Sequence, residues 1–540
     1  AMVILRFSIA ELLEAGSLNR ARNAIRSLME LAPDTARVIR DNGEFETLQI
    51  DNIEVGTMIS VRPGERIPLD GEVIANYGYV NEAPITGESM PVEKVIGDPV
   101  FAGSINGDSA LEIRVTRVFS ESTISRIIKL VEDARNNKSP SEKFVDKFSR
   151  YYTPIVVGLS AAMIIVPTLI FDASFNTWFY RALVLLVVAC PCALVISTPV
   201  TIVSGLTRAA RSGVLIKGGN YLEAMANVDA IVLDKTGTIT IGKPEVSEVI
   251  SLNSLPEDKI LSIAASVESA SEHPVANAII AETERREISY EKGENLHNHP
   301  GEGAHAVVDS KQIYVGNHKF FEKSGLCNDE IEHKLELIEN RGKTAVLVWD
   351  EKSAIGMIAV EDRIRPTARK VIERFSSFGI EKTYLLTGDN NRTAASIANQ
   401  AGIKEFQGEL MPEGKMEFIN NLSNNGYVTM MIGDGVNDTP ALAAADIGVA
   451  MGSAGSDQAL ETADVALMSD DLTKLPFAIA LAKKSLRIVK ANIAFAIGIK
   501  AVFMLMAPFG LATLWMAVGA DMGASLIVII NGMRVLRFKD

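Results

Sequence analysis

Asp234 ends a short apolar run. Ala230, Ile231, Val232 and Leu233 precede it, and Lys235, Thr236, Gly237 and Thr238 follow. A β-branched run that stops at a glycine-containing turn reads as a buried parallel strand. Asp234 then stands at the strand's carboxyl end, where open α/β sheets place their chemistry. A carboxylate there can attack a phosphorus atom and carry the phosphoryl group. Two later runs end in the same style. Tyr384-Leu385-Leu386 leads into Thr387-Gly388-Asp389, and Val428 to Ile432 leads into Gly433-Asp434-Gly435-Val436-Asn437-Asp438, with Lys415 between them after Pro412. A dianionic phosphoryl group needs a cation and donors around it, and these strand ends supply carboxylates, hydroxyl and ammonium. Residues 433–438 lack the alternating Asp and terminal Glu of a calcium loop.

A second constellation sits in apolar sequence. Cys190-Pro191-Cys192 falls in the middle of the run 182–206. Proline removes a backbone hydrogen bond and opens a helix, and two thiols beside the break can present soft sulfur ligands to a metal. The plain alternative is a kink with two inert buried cysteines. Lys500 and Asp521 also lie in apolar runs. Charges at membrane depth are costly and are functional candidates by default, although mutual pairing alone would also explain them. Cys327 lies in a soluble segment, is read as having no neighbouring ligands and is expected to be non-functional.

These residues need elements to position them. The chain has 540 residues, too many for one core, and a formal net charge of −14, which argues against a general nucleic-acid binder. A mean hydropathy of +0.17 alongside 22% charged residues suggests membrane spans beside charged soluble domains. Residues 152–171 and 182–206 are apolar enough and long enough to cross roughly 30 Å of hydrocarbon. Lys143, Lys147 and Arg150 precede this hairpin, and Arg208, Arg211 and Lys217 follow it. Spans near 491–508 and 511–531 are flanked likewise by Lys483, Lys484, Arg487 and Lys490, then by Arg534, Arg537 and Lys539. The positive-inside rule therefore makes both large hydrophilic segments cytoplasmic. Residues 1–10 are too short to span and lead into a charged stretch with Arg20, Arg22 and Arg26. They read as the cytoplasmic end of a membrane helix whose start is missing, so the chain is expected to lack its natural amino terminus.

Residues 33–130 alternate short β-type runs with Gly, Pro, Asn and Asp, as a small all-β domain does. Thr86-Gly87-Glu88-Ser89 lies inside it. Residues 246–355 read as an insertion carrying Ser271-Glu272-His273-Pro274, Gly301-Glu302-Gly303 and Gly316-Asn317. Gly342-Lys343-Thr344 resembles the end of a phosphate-binding P-loop, but position 337 is Leu where that loop needs Gly. It is read as a turn before the strand Ala345–Val348. The three cysteines, two of them one residue apart, argue against a disulfide framework.

Asp234-Lys235-Thr236-Gly237-Thr238 resembles the phosphorylation motif of P-type ATPases, and the other motifs follow in that family's order from residue 1 onward. The resemblance implies a multidomain membrane protein. Its parts are an α-helical transmembrane bundle, an all-β actuator domain, a Rossmann-like α/β (haloacid dehalogenase-type) phosphorylation domain and an inserted α+β nucleotide-binding domain. The expected boundaries are 1–32 for a helix end and its cytoplasmic extension, 33–130 for the actuator, and 131–217 for the hairpin with the two cysteines. The phosphorylation domain takes 218–245 and 356–480, the nucleotide-binding domain 246–355, and the last hairpin 481–540. The resemblance makes Asp234 the phosphorylated residue. Glu88, with Thr86 and Gly87, positions and activates the water that hydrolyses the aspartyl-phosphate. Thr387 and Lys415 hold phosphoryl oxygens, and Gly388, Asp389, Asn437 and Asp438 complete the site. Magnesium takes Asp234, Asp434 and the Thr236 carbonyl. His273, Glu268, Gly301, Gly303 and Asn317 surround ATP.

Cysteines at this helix position resemble the heavy-metal (type IB) branch. Lys500 with Asp521 in an Asp-x-Gly matches its zinc/cadmium/lead subgroup, whereas copper(I) pumps use uncharged residues there. A carboxylate beside two thiolates suits a divalent, borderline-soft ion. The implied transported-metal ligands are Cys190, Cys192 and Asp521, with Lys500 as a counter-cation once the metal leaves. The expectation is ATP-driven export of zinc, cadmium or lead by a monomeric, multi-pass protein of the plasma membrane, with lipid as its other partner and no nucleic acid. A copper(I) or silver exporter and a membrane-anchored phosphatase without transport are the alternatives. Sequence does not rank the three divalent metals.

Overall fold

The computed structural model describes residues 33–40, 43–86, 90–134, 138–271, 273–299, 301–434, 438–452 and 461–539. The chain divides into two units. One comprises the described residues up to Asn227 with those from Gly452 onward, and the other is Val228–Met451.

In the first unit, alternation of buried and exposed residues builds a β-domain. Leu111–Val115 shows the pattern, with Leu111, Ile113 and Val115 buried and Glu112 and Arg114 not. Six antiparallel strands lie in the order Phe45–Gln49, Thr35–Ile39, Met58–Val61, Leu111–Val115, Gly71–Ala75 and Pro99–Val100, and a second sheet orders Val92–Lys94, Gly78–Asn81 and Ile105–Asn106. Ile59, Ile67, Leu69, Val73 and Ile113 fill the core. The buried Asp70 carboxylate accepts hydrogen bonds from Ala102 N (2.8 Å), Thr123 N (2.7 Å) and Thr123 Oγ1 (2.8 Å). It thereby fastens the start of the helix Thr123–Ala134 to the β-domain.

The same unit holds five long apolar helices: α1 (Pro140–Ile170), α2 (Phe175–Val188), α3 (Cys192–Ala210), α4 (Lys474–Met506) and α5 (Leu514–Met533). They amount to four candidate membrane spans, α2 and α3 forming one of them. The start of α1 is specified locally. Pro140 takes the first turn, and Ser139 and Glu142 make a reciprocal capping box. Gly532 of α5 lies so close to α3 that a Cβ there would stand 2.6 Å from Thr201 Oγ1. Asn492 of α4 donates to Val528 O at 3.1 Å and accepts from Asn531 at 2.7 Å, joining α4 to α5. Ile155, Leu159 and Ile165 on α1, and Ile527 and Ile530 on α5, face outward, an apolar exterior suited to lipid.

In the second unit the central element is a parallel sheet of β1 (Ala230–Asp234), β2 (Lys382–Leu386), β3 (Glu405–Gln407), β4 (Thr429–Gly433) and β5 (Ile447–Ala450). Its order is β5-β4-β1-β2-β3. Strand order reverses on either side of β1, which makes its carboxyl end the topological switch point. All five residues of β1 are buried, hence the near-continuous apolar run. Between β1 and β2 lies a six-stranded antiparallel sheet ordered Glu245–Ser251, Ala354–Glu361, Thr344–Asp350, Lys311–Gly316, Gly303–Val308 and Glu294–His299. Helices Glu257–Glu268 and Pro274–Arg285 share one of its cores, and Asp329–Glu339 shares another. The strand Ala354–Glu361 carries this sheet past the boundary at residue 355 that the sequence suggested. Its buried run from Ile355 to Val360 pairs on both sides. Gly342, at φ +78°, makes the turn that ends at the strand Thr344–Asp350.

Candidate functional site

The sheet brings the residues expected to serve phosphoryl chemistry to one edge. Asp234 ends β1, Thr387 follows β2, and Asp434 follows β4. The helix Pro412–Asn424 turns Lys415 toward them. Lys415 Nζ donates to Asp234 Oδ1 at 2.5 Å and to Asp438 Oδ1 at 2.7 Å, and all three side chains are buried. Asp234 Oδ2 accepts from Thr236 N at 2.8 Å. Lys235 Nζ pairs with the Asp389 carboxylate, and Thr387 Oγ1 accepts from Asp389 N at 3.1 Å. Gly388 sits between those two residues. Gly87, Glu88 and Asn437 lie outside the described residues. Thr86 is buried and donates to Glu82 O at 3.2 Å.

Burial, then the Asp438 carboxylate, push Asp234 up to about 7 against the opposing pull of Lys415, with Asp434 adding to the rise. Burial raises Asp438 as well. Burial pulls Lys415 down, but Asp234 and Asp438 outweigh it and hold it above its ordinary value. Lys415 thus touches two of the carboxylates gathered here, Asp234 and Asp438, and Asp434 lies close enough to raise both. A cluster of carboxylates is the ligand type that a hard divalent cation takes.

The nucleotide-motif residues fall in two places along one apolar core. Glu268 ends one helix and His273 caps the next, His273 Nδ1 accepting from Val275 N at 3.3 Å. That bond leaves Nε2 as the protonated nitrogen. Burial raises the Glu268 carboxyl. Gly301, Gly303 and Asn317 form the other place. Asn317 Nδ2 donates to Gly301 O at 2.9 Å, and its Oδ1 caps the following helix through Phe320 N at 2.9 Å. A Cβ on Gly303 would meet Val315 O at 2.2 Å, so only glycine fits. Val267, beside Glu268, shares its core with Ala304 and Val315, which ties the two places to the same packing.

In the membrane helices the run 182–206 is broken. α2 ends at Val188, and α3 restarts at Cys192 after Pro191. The Cys190 and Cys192 sulfurs are in contact, and the Asp521 carboxylate lies within 4.8 Å of both. Lys500 Nζ donates to Asp521 Oδ1 at 2.8 Å, to Val188 O at 3.1 Å and to Cys190 O. The lysine therefore also satisfies carbonyls that the proline break releases, a task the sequence reading did not anticipate.

Residues 228–446 match the haloacid dehalogenase-like hydrolase family, and residues 30–132 match the P-type ATPase actuator domain. A "probable cadmium-transporting ATPase" of Alkalihalophilus pseudofirmus is 47% identical over 546 residues, spanning 100% of this chain and 75% of the relative. The chain belongs to the heavy-metal (type IB) P-type ATPases. The "zinc/cadmium/lead-transporting P-type ATPase" of Escherichia coli K12 is 40% identical, spanning 99% of this chain and 72% of that one. The crystal structure of a zinc-transporting PIB-type ATPase in an E2.Pi state matches with TM-score 0.62 at 39% identity, over 99% of this chain and 87% of the other.

Two residues of this ATPase that carry no motif hold the loop after Asp234. Arg365 donates to Gly237 O at 2.9 Å and Thr238 O at 3.0 Å. Asp362 accepts from Thr240 Oγ1 at 2.5 Å and Gly242 N at 2.9 Å. The polar run 361–365 gave no signal for this, because the partners are more than 100 residues away. Cys327 also differs from expectation. The fold brings His318 and Glu332 beside it, so it does have neighbouring ligands.

Proposed function

We propose that this P-type ATPase exports divalent zinc, cadmium and lead from the cytoplasm, across the plasma membrane, through a phosphorylated Asp234. The observation that carries the choice of ion is the meeting of Cys190, Cys192 and Asp521 at a proline break, with Lys500 on the carboxylate. Two thiolates and a carboxylate favour a borderline-soft dication over copper(I). The reduced thiols are the form that binds.

In the soluble part, ATP bound beside His273, Glu268, Gly301, Gly303 and Asn317 presents its γ-phosphorus to Asp234. An Asp234 oxygen bonds to that phosphorus as the bond to ADP breaks, and ADP leaves with the electron pair. Lys415 keeps Asp234 ionised for attack and then faces the phosphoryl oxygens with Thr387. Asp389 holds Lys235, and Gly388, Asn437 and Asp438 complete the surroundings. Asp234, Asp434 and the Thr236 carbonyl would hold magnesium, which would supply positive charge against the phosphoryl oxygens. Glu88, next to Thr86 and Gly87 in sequence, takes the proton from a water whose oxygen bonds to the phosphorus as the bond to Asp234 breaks. Metal binding and phosphorylation each bias one of two states of the helices, which couples them. When the metal departs, Lys500 neutralises Asp521.

Phosphoenzyme formation from γ-labelled ATP tests this reading. Label should appear with zinc present and vanish in both Asp234→Asn and Cys192→Ala. Undiminished labelling of Cys192→Ala would instead favour a phosphatase without transport.

A further inference from the structure

Outside the membrane site, one group of side chains in the second unit has the make-up of a metal site. His318 opens the helix His318–Glu322, Cys327 lies in the following loop, and Glu332 sits in the first turn of the helix Asp329–Glu339. His318 Nε2 is 2.9 Å from Glu332 Oε2, and Cys327 Sγ is 3.7 Å from His318 Nε2 and 3.8 Å from Glu332 Oε2. A tetrahedral ion bonded to one N, one S and one O at ordinary zinc distances would separate those atoms by about 3.3–3.6 Å. The three atoms already converge on one point. Glu322, one helical turn after His318, brings a carboxylate oxygen to 3.8 Å from the same imidazole nitrogen and can close a fourth position.

The surroundings orient the set. Glu332 turns its other oxygen, Oε1, to Arg392 at 3.5 Å, leaving Oε2 for the cluster. Outer partners of this kind fix the direction of a ligating carboxylate. Arg392 is itself held by Glu336 at 2.8 Å and Glu339 at 3.4 Å, so it does not depend on Glu332. Neither Cys327 nor His318 is needed by the phosphoryl or nucleotide residues described above. His318 follows directly on Asn317, which places the cluster in the inserted domain.

We propose that His318, Cys327 and Glu332, with Glu322, form a second binding site for a borderline-soft divalent ion of the zinc or cadmium class. Nitrogen, sulfur and carboxylate oxygen together suit zinc and cadmium, whereas magnesium and calcium take oxygen ligands. The assignment rests on this ligand set alone and stands apart from the transport reading.

Cadmium is the probe. The chain has three cysteines, so the full protein carrying Cys190→Ser and Cys192→Ser keeps Cys327 as its last thiol. Titration of that protein with cadmium should give a saturable ultraviolet cadmium–thiolate absorption equivalent to one ion per chain. Cys327→Ser should abolish the absorption. His318→Ala and Glu332→Gln should each raise the cadmium Kd about tenfold or more. His318→Asn, which keeps size and polarity, should behave as His318→Ala does. No thiolate absorption would overturn the proposal. So would an absorption whose affinity is unchanged in both the His318 and the Glu332 variants, because that is the behaviour of a bare thiol.

Discussion

Replacing Lys415 by Met tests the charge arrangement around Asp234 most sharply. Its ammonium contacts two buried carboxylates, at 2.5 Å and 2.7 Å. Removing one partner of a buried ion pair costs roughly 3–5 kcal/mol, because the other charge is left uncompensated. Asp234 is already raised from 3.8 to about 7, equivalent to about 4 kcal/mol against its ionised form. Without Lys415 it rises further, and at neutral pH the nucleophile is protonated. Loss of the ammonium also removes charge facing the phosphoryl oxygens, an effect of about 10²–10³ in rate. Phosphoenzyme formation by Lys415→Met should therefore fall by about 10² or more. Adding Asp438→Asn removes a like charge beside Asp234 and should recover about tenfold of the loss, a coupling expected only between groups in contact. The pH dependence has a definite sign. A carboxyl whose folded pKa lies above its unfolded value adds stability that is full below 3.8 and lost as pH rises through about 7. In Lys415→Met that loss should extend to higher pH, so the nucleotide-free protein gains more on acidification than the wild type does. Near-normal phosphorylation by Lys415→Met, or a double variant equal to the product of the singles, would refute the reasoning.

Further outcomes follow from the same geometry. Lys500→Ala leaves Asp521 and two released carbonyls without their donor, and zinc-stimulated ATP hydrolysis should drop at least about tenfold; turnover at the wild-type rate with metal still released would contradict the counter-cation role. Gly303→Ala forces a Cβ into Val315 O, and ATP binding by fluorescence or calorimetry should weaken about tenfold or more, as overpacking of about 1–3 kcal/mol implies. Asp362→Ala releases Thr240 and Gly242, so phosphorylation should slow while ATP affinity holds, which a comparison of rate and nucleotide Kd can show. Chelation of magnesium should abolish phosphoenzyme formation and leave ATP binding measurable.

The residues legible in the sequence were those whose job is local. Asp234 at the end of an apolar run, the thiols around Pro191, and a lysine and an aspartate in apolar helices each declare an unusual physical situation within a few positions. Asp362 and Arg365 declare nothing, since their partners arrive only when the chain returns after the inserted domain. The same holds for His318, Cys327 and Glu332, whose spacing matches no local ligand pattern and which only the packing of two helices brings together. Pro191 marks the break in the run 182–206, and the structure divides the helix there. What the local sequence does not show is that Lys500, distant in the chain, satisfies carbonyls that the break releases. The boundary at 355 falls at the head of the apolar run Ile355 to Val360, whose place in the sheet is set by pairing with the strand from Glu245, more than 100 residues earlier.

The most direct test of the central claim is ATP hydrolysis by the lipid-reconstituted protein across zinc, cadmium, lead, copper(I) and silver. Stimulation by the three divalent ions and not by the monovalent ones is the predicted result, with Asp521→Asn removing it. Stimulation by copper(I) or silver alone would contradict the assignment of Asp521 as a ligand and of the pump to divalent metals.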